Sequence, residues 1–414
     1  AGGFVRCFMR SDGTPLLKAG PLRCMKRLSF NSVCCLLGLL VFAQPARIMT
    51  WNALNFSTAS QDRVVYFQTV VDSLQPDILV VQEVEEEPAA AFFQSAVLGG
   101  SMAMAPFVDG FGTDNALYYN ATVFEAVANI PIQTDLRDIS QFVLVHLASG
   151  DTLRVFSVHL KSSSGSDNQD MRLNEVNALR QVTDQLPADS YFIVCGDFNT
   201  YGSNEPAYQR LLSTTGSGYF IDPIVLSGIW NNANYAPHHT QSTRSTAFGG
   251  GASGAMDDRF DMILFSPNLL ATNGVTYVTN STWAVGNDGQ HYNQSINAMP
   301  NASVSQTMAD ALYYAADHLP VVASIEFFNR VSVEERVALN TLTVYPNPSH
   351  GTITVELPAD HTSTVTVLDA TGRMVYSDKG IGSLALDLNS LTGGVYYLKV
   401  TSSSEERVVK LLLL

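Results

Sequence analysis

Residues 193–202 read IVCGDFNTYG. Tyr191–Cys195 is an apolar run of strand length. It stops at Gly196-Asp197-Phe198-Asn199, a turn that sets a carboxylate and an amide on one face. Cys195 sits inside the run and reads as a buried thiol, not a nucleophile. The same plan recurs on either side. Arg47–Trp51 is strand-like and ends at Asn52. Ile78–Val81 ends at Gln82-Glu83. Leu153–Leu160 alternates, with Val155, Ser157 and His159 on one face. Asp261 opens Met262–Phe265, and Asp317-His318 leads Leu319–Phe327. One polar residue at a strand end means little; six on separate strands indicate a rim where they converge.

Between these runs, Val64, Phe67, Val71 and Leu74 recur at helical spacing, and Gln75-Pro76-Asp77 ends that helix. Leu173, Val176, Leu179, Val182 and Leu186 mark a second helix. On it, Arg172, Glu175 and Arg180 read as a solvated face. Strands and helices mixed without a strict βαβ rhythm predict a layered α/β fold with largely antiparallel sheets. The polar stretches 245–256 and 284–309 read as long surface loops, which in a compact domain are often functional.

The whole chain has 414 residues, 46% of them hydrophobic, and a formal charge of −15. That composition excludes disorder as the main state, and a single long apolar run excludes a polytopic membrane protein. The acidic balance excludes a protein that coats nucleic acid by bulk positive charge. Met25-Lys26-Arg27, the apolar Val33–Ala43 and the small residues at its end predict a signal peptide over 25–43, with 1–24 an upstream extension. Without residues 1–43 the charge is −20 and Cys195 is the one cysteine left of five, so no intrachain disulfide forms. Residues 331–341 read as a linker. Residues 342–414 carry seven short alternating runs separated by Pro346-Asn347-Pro348, Thr371-Gly372-Arg373 and Thr392-Gly393-Gly394, the pattern of a small β-sandwich.

Six segments resemble, in order and spacing, the endonuclease/exonuclease/phosphatase superfamily of DNase-I-like metallo-phosphoesterases. They are RIMTWNALNFS (47–57), DILVVQEVE (77–85), FSVHLKS (156–162), IVCGDFNTYG (193–202), DDRFDMILFS (257–266) and ADHLPVVASIEF (316–327). The resemblance covers 46–328, within a domain taken as 44–330. It implies a four-layered α/β sandwich with the site at one edge of two packed sheets. Hydrolysing a phosphodiester needs a cation on the phosphoryl oxygens, an activated water and help for the leaving oxygen. Glu83 is the expected primary ligand for Mg²⁺ or Mn²⁺, since one carboxylate plus waters suits such ions. Asn52 can hold a metal water or a phosphate oxygen, and Asp317 can bind metal or orient a ligand. The resemblance also admits a structural Ca²⁺.

His318 is the candidate general base, and Asp261 matches the position that orients it in the family. Asp261 can instead pair with Arg259. His159 resembles the histidine that contacts the scissile phosphate. Asn199 can donate to a non-bridging oxygen; Asp197 can position water, protonate the leaving group or ligate a second metal. Lys161, the one lysine between 44 and 330, and His239 and Asn287 are candidates for substrate contact.

At the other end, TLTVYPNPSHGTITVEL (341–357), VTVLDATGRMVYS (365–377) and LDLNSLTGGVYYLKV (386–400) resemble a type A sorting domain of the type IX secretion system. That resemblance implies partnership with the secretion machinery and a sortase, and export across the outer membrane. The expected whole is a monomeric, secreted, Mg²⁺-dependent nuclease with phosphodiester substrate, most readily DNA or RNA. The alternatives are a sphingomyelinase-like lipid phosphodiesterase, a phosphomonoesterase or, in another class, a surface-displayed binding protein with an inactive site. No apolar hairpin for membrane insertion is evident, which argues against lipid.

Overall fold

Successive side chains of a strand point to opposite faces, so a run that is apolar at every position needs a packing partner on both sides. A computed structural model shows how this chain supplies them; it describes residues 45–271, 274–328, 343–359, 361–402 and 405–414. The expected upstream extension, signal peptide and linker lie outside the described residues. The chain divides between residues 330 and 331 into two units.

The strands of the first unit are β1 (Ala46–Phe56), β2 (Ile78–Val84), β3 (Ala103–Met104), β4 (Asp114–Tyr119), β5 (Phe124–Ile132), β6 (Ile139–His146), β7 (Thr152–His159), β8 (Tyr191–Asp197), β9 (Asp261–Phe265), β10 (Val275–Tyr277), β11 (Trp283–Ala284) and β12 (Val321–Phe327). Its α-helices are α1 (Val64–Leu74), α2 (Glu87–Phe92), α3 (Ser166–Thr183), α4 (Pro206–Leu212) and α5 (Gln306–Ala315). One sheet has the order β10-β12-β1-β2-β4-β3, with β11 also on β12; the other runs β5-β6-β7-β8-β9. β1 with β2 and β7 with β8 are parallel pairs, and the other pairings are antiparallel.

The alternation sorts the core into three apolar layers. Ile48, Ile78, Val80, Leu117 and Ile325 from the first sheet meet Phe142, Leu153, Val155, Ile193, Cys195 and Ile263 from the second. Met49, Trp51, Leu79 and Val81 face the other way, onto Phe67 and Val70 of α1 and Ala311 and Leu312 of α5. Phe156, Val158, Phe192 and Val194 pack on Val176 and Leu179 of α3 and Leu211 of α4. The result is a four-layered α/β sandwich with two helix layers outside two sheets. Cys195 lies in the middle layer, and burial pushes its thiol up to about 12, which leaves it an inert core residue.

Toward one edge the middle layer turns polar. Thr50 and Asn52 follow Ile48, Gln82 follows Val80, Ser157 and His159 follow Val155, and Asp197 follows Cys195. On the antiparallel β4 and β9, Asn115 precedes Leu117 and Asp261 precedes Ile263. Hydrogen bonds run along the first sheet and across to the second here. Thr50 Oγ1 donates to Gln82 Oε1 (3.2 Å), Gln82 Nε2 to Ser157 Oγ (2.9 Å), and Ser157 Oγ to Asn115 Oδ1 (2.9 Å). Each buried polar group thereby gains a partner that water would otherwise supply.

The charged face expected on α3 is not solvated. Arg172, Glu175 and Arg180 are buried. Arg180 Nη1 donates to the carbonyls of Arg210, Leu211 and Ser213, and its Nη2 to Thr215 O and Asp184 Oδ1. The last turn of α4 and the segment after it leave carbonyls that no further helical turn pairs, and one guanidinium with five donors serves them. Burial pushes the Glu175 carboxyl up to about 7, against the pull of its bond from Lys161 N (2.9 Å) and of the nearby arginines.

The second unit holds β13 (Val344–Tyr345), β14 (Thr352–Glu356), β15 (Ser363–Leu368), β16 (Met374–Gly380), β17 (Ser383–Asp387), β18 (Gly394–Ser402) and β19 (Glu405–Leu413). They form antiparallel sheets β13-β14-β17 and β16-β15-β18-β19 around Ile353, Val355, Val365, Val367, Leu386, Leu398 and Leu411. In the turn Asp369–Arg373, Asp369 Oδ1 accepts from Thr371 N, Thr371 Oγ1 and Arg373 N, an Asx-type closure. Gly351 is required: its φ is +124°, and a Cβ there would sit 2.2 Å from Asn389 Oδ1.

Asp184 closes the α3–α4 contact by accepting from Arg180, Arg210 (3.2 Å) and Gly218 N (2.8 Å). Partial burial raises its pKa, but these bonds outweigh burial and hold it below the ordinary aspartate value. A carboxylate depressed in the folded state stabilises above its unfolded pKa and loses that contribution as pH falls through the folded one. Asp184→Asn should therefore destabilise the protein by about 1–2 kcal/mol at neutral pH. Denaturant titrations of variant and wild type should converge as pH falls below the ordinary aspartate range, through the depressed folded-state pKa.

Candidate active site

The polar edge opens into a cleft of about 410 Å³ whose lining includes Asn55, Glu83, Arg137, His159, Asp197, Asn199, Gln241, Asp317 and His318. Strand registers set most of these. β7 on β8 places His159 beside Asp197, and β9 on β8 places Asp261 beside Asp197. Gly196 permits the first pairing, because a Cβ at its φ of +130° would lie 2.0 Å from Val158 O. Glu83 departs from the alternation. Strict pleating would turn it outward with Val81, but the register shifts after Val81 and Glu83 takes a φ of +58°. That left-handed residue brings its carboxylate into the cleft.

Asn52 lies buried beneath the cleft and ties three strands. Its Nδ2 donates to Glu83 Oε1 (2.9 Å) and Asp197 Oδ2 (3.2 Å), while its Oδ1 accepts from Leu54 N (3.0 Å). That carbonyl keeps a second lone pair, while the amide nitrogen orients two carboxylates. Glu83 Oε2 also accepts from Asn55 N (2.9 Å). His318 Nδ1 lies 2.7 Å from Asp261 Oδ2, and its Nε2 lies 2.5 Å from the side-chain amide of Gln241 and 3.7 Å from Asp197 Oδ2. Asp261 is not paired with Arg259, which bonds Asp222 through both terminal nitrogens. Trp51 Nε1 donates to His318 O (2.9 Å), anchoring the histidine to β1.

Burial and neighbouring charges shift three of these groups: His318, Asp197 and His159. Burial by itself would lower the His318 pKa, but Asp261 and then Asp197 outweigh it and hold the imidazole well above its ordinary value. Burial, with Asp261 and Glu83 adding to it, pushes Asp197 up to about 7. His159 goes the other way: burial, helped by Arg137 and His318, holds it well below the ordinary range and keeps it neutral. Its Nε2 lies 3.6 Å from Glu83 and 3.7 Å from Asp197.

The donor set fits a hydrated hard cation. Among the described residues no three His, Cys, Asp or Glu side chains form a protein-built cage. Mg²⁺ needs none, since it keeps several waters and takes one or two carboxylates. Glu83 uses one lone pair on each oxygen for Asn52 and Asn55, which leaves others for a ligand. Asp317 accepts from Ala252 N (2.6 Å) through Oδ2, while its Oδ1 is buried without a hydrogen-bond partner. The loop 245–256 thus reaches the site through Ala252.

Three predicted substrate contacts are not in the lining. Lys161 Nζ donates to Ser162 O (2.8 Å). His239 is fully buried, with Nε2 2.8 Å from Trp230 O. Asn287 Nδ2 donates to Ala236 O and His239 O. The latter two serve to pin loops. Arg137, which sequence reasoning passed over, lines the cleft and donates from Nε and Nη2 to His159 O and Leu160 O (both 3.1 Å). The available signal was its isolation: no other Lys or Arg occurs between residues 64 and 153.

Carboxylates and histidines from both sheets thus gather in one pocket at the edge of a four-layered sandwich. The sequence profile of the Endonuclease/Exonuclease/phosphatase family matches residues 49–282, and the chain belongs to that family. The profile of the secretion system C-terminal sorting domain matches residues 343–413, which implies export by type IX secretion to the cell surface or beyond. Similar solved structures include the D. rerio TDP2 complex with a single-strand DNA product (16% identity, 68% of this chain and 99% of that one, TM-score 0.49). Another is an endonuclease/exonuclease/phosphatase family protein of Bacteroides thetaiotaomicron (14%, 69% and 99%, TM-score 0.45). A third is the human nocturnin catalytic domain with bound sulfate (17%, 69% and 94%, TM-score 0.41). No curated protein matches the chain.

Behind the cleft, Arg172 holds the segment that follows His159. It donates from Nη1 to Lys161 O (2.7 Å) and Ser163 O (2.9 Å), and from Nε to Glu205 Oε2 (3.0 Å). Glu205 in turn accepts from Tyr201 N (2.8 Å), just past Asn199. Arg172→Met leaves Glu205 buried and unpaired and should cost about 3–5 kcal/mol in chemical unfolding. Arg172→Lys should not rescue it, since one ammonium cannot span two carbonyls and a carboxylate.

Proposed function

We propose that residues 44–330 act as a divalent-cation-dependent phosphodiesterase, a nuclease exported to work on extracellular DNA or RNA. The observation that carries this reading is the convergence of Glu83, His159, Asp197, Asn199, Asp261, Asp317 and His318 on one cleft edge from both sheets. Glu83 and Asp317 would hold the cation, which neutralises the phosphoryl oxygens when bound. Asn199 Nδ2 donates one hydrogen to Leu160 O (3.1 Å), which leaves the other for a non-bridging oxygen. Neutral His159 and the Arg137 guanidinium face the same phosphate.

His318 and Asp197 divide the proton work. At rest the imidazole, flanked by two carboxylates, holds a proton. Passing it to Asp197, 3.7 Å from Nε2, readies both groups at once. The imidazole, still oriented by Asp261, then takes a proton from the attacking water, and the Asp197 carboxyl gives one to the leaving oxygen.

Purified full-length chain should hydrolyse DNA, RNA or bis(4-nitrophenyl) phosphate in Mg²⁺. EDTA should stop it and added Mg²⁺ restore it. Sphingomyelin and a phosphomonoester belong in the same panel, because turnover confined to either replaces the nuclease reading. His318→Ala and Asp197→Ala should each lower kcat by about 10²–10⁴-fold with an unchanged circular dichroism spectrum. Unchanged rates, or an EDTA-insensitive activity, would overturn the assignment.

A further inference from the structure

A second hollow of about 470 Å³ adjoins the cleft and has no part in the chemistry above. It is lined by Phe111, Gln133, Thr134, Asp135, Leu136 and Asp138. The two cavities interleave along the chain: Gly112, Thr113 and Arg137 face the cleft, while Phe111, Leu136 and Asp138 face the hollow. Gly112 lies against Arg137, its Cβ position 3.8 Å from Arg137 Cγ. That contact is the partition between them. A phosphate beside Arg137 has the hollow on the far side of that partition, within reach of an ester substituent.

The chemistry of the hollow restricts that substituent. Phe111 is 76% exposed, which for a phenyl ring means an unused apolar face at the mouth of a site. Asp114 Oδ1 accepts from Gly110 N (3.1 Å) and closes the loop that carries it. Asp135 and Asp138 repel a second phosphate but accept hydrogen bonds from amino or imide groups. Gln133 and Thr134 can donate or accept. An aromatic platform, hydrogen-bonding walls and negative charge suit a flat, uncharged, nitrogen-rich ring and do not suit an acyl chain or a polyanion.

We infer that this hollow is a nucleobase subsite, in which Phe111 stacks on the unpaired base next to the phosphate bound in the cleft. The inference rests on the nuclease reading and narrows its substrate to single-stranded or frayed nucleic acid, since a paired base cannot present its face to a side chain.

The test measures binding by titration calorimetry with full-length chain in Mg²⁺, using thymidine 5′-monophosphate and 2-deoxyribose 5-phosphate. The nucleotide should bind about tenfold or more tightly than the baseless sugar phosphate. Phe111→Ala should erase that difference, and Phe111→Trp should keep it. Equal binding of the two probes, or a difference that survives Phe111→Ala, overturns the subsite. Binding needs no turnover, so the two readings fail separately. A chain that cleaves no diester yet shows this pattern loses only the catalytic reading; one that cleaves nucleic acid without it loses only the subsite.

Discussion

The pairing register of β7, β8 and β9 is the constraint on which the site depends. It aligns His159, Asp197 and Asp261 in one row across the sheet. Side chains alternate along a strand, so a slip of one residue would send all three into the outer layer with Val158 and Phe198. The middle layer prevents the slip: four residues along the strands from that row, Val155, Ile193 and Phe265 pack there in the same row order. The core therefore does more than stabilise the sandwich. It sets which face of each strand reaches the edge, and the hydrogen-bond chain through Thr50, Gln82, Ser157 and Asn115 carries that order across to the other sheet.

Charge behaves differently inside this protein than its total suggests. Residues 44–330 carry 11 basic and 28 acidic side chains. Several of the basic ones have structural partners. Arg172, Arg180, Arg244 and Arg259 are buried, and Arg63 donates to Ala53 O and Ala315 O. Little positive charge is left to attract a polyanion at long range. In the proposed reaction, phosphate recognition is therefore local, through Arg137, His159, Asn199 and a cation. The acidic walls of the hollow beside Phe111 follow the same pattern and favour one nucleotide over a long tract.

The C-terminal unit is built on other principles. Its strands are short, its core is a single layer of aliphatic residues, and its turns are closed by side chains. Asn347 extends this to an edge: its Nδ2 donates to Lys410 O and its Oδ1 accepts from Leu412 N, as a backbone amide would. A sorting signal read by secretion machinery needs a folded surface of its own, and this unit carries its own core.

Much of this was legible in the chain. Strand ends can be read where apolar runs stop, which indicates the layered fold and the rim, and the family resemblance carried by GDFN and DHLP implies His318 with Asp261. The tail is legible for the same reason, since period-2 alternation and turn residues are local signals. Partners distant in sequence are not local signals. Arg172, Glu175 and Arg180 have the spacing of a solvated face, and only α4 and the segments beside it convert that face into an interior clamp. Asn52 is only an amide at a strand end in the sequence, and it takes β2 and β8 to make its nitrogen a tie between Glu83 and Asp197. Phe111 and Arg137 belong to no motif. Sequence alone determined which residue types stand at the ends of which strands, because that pattern lies along the chain. Only the tertiary structure decided which of them share a cleft, which way each amide turns and which arginines are left for a phosphate, because those depend on contacts across tens to hundreds of residues.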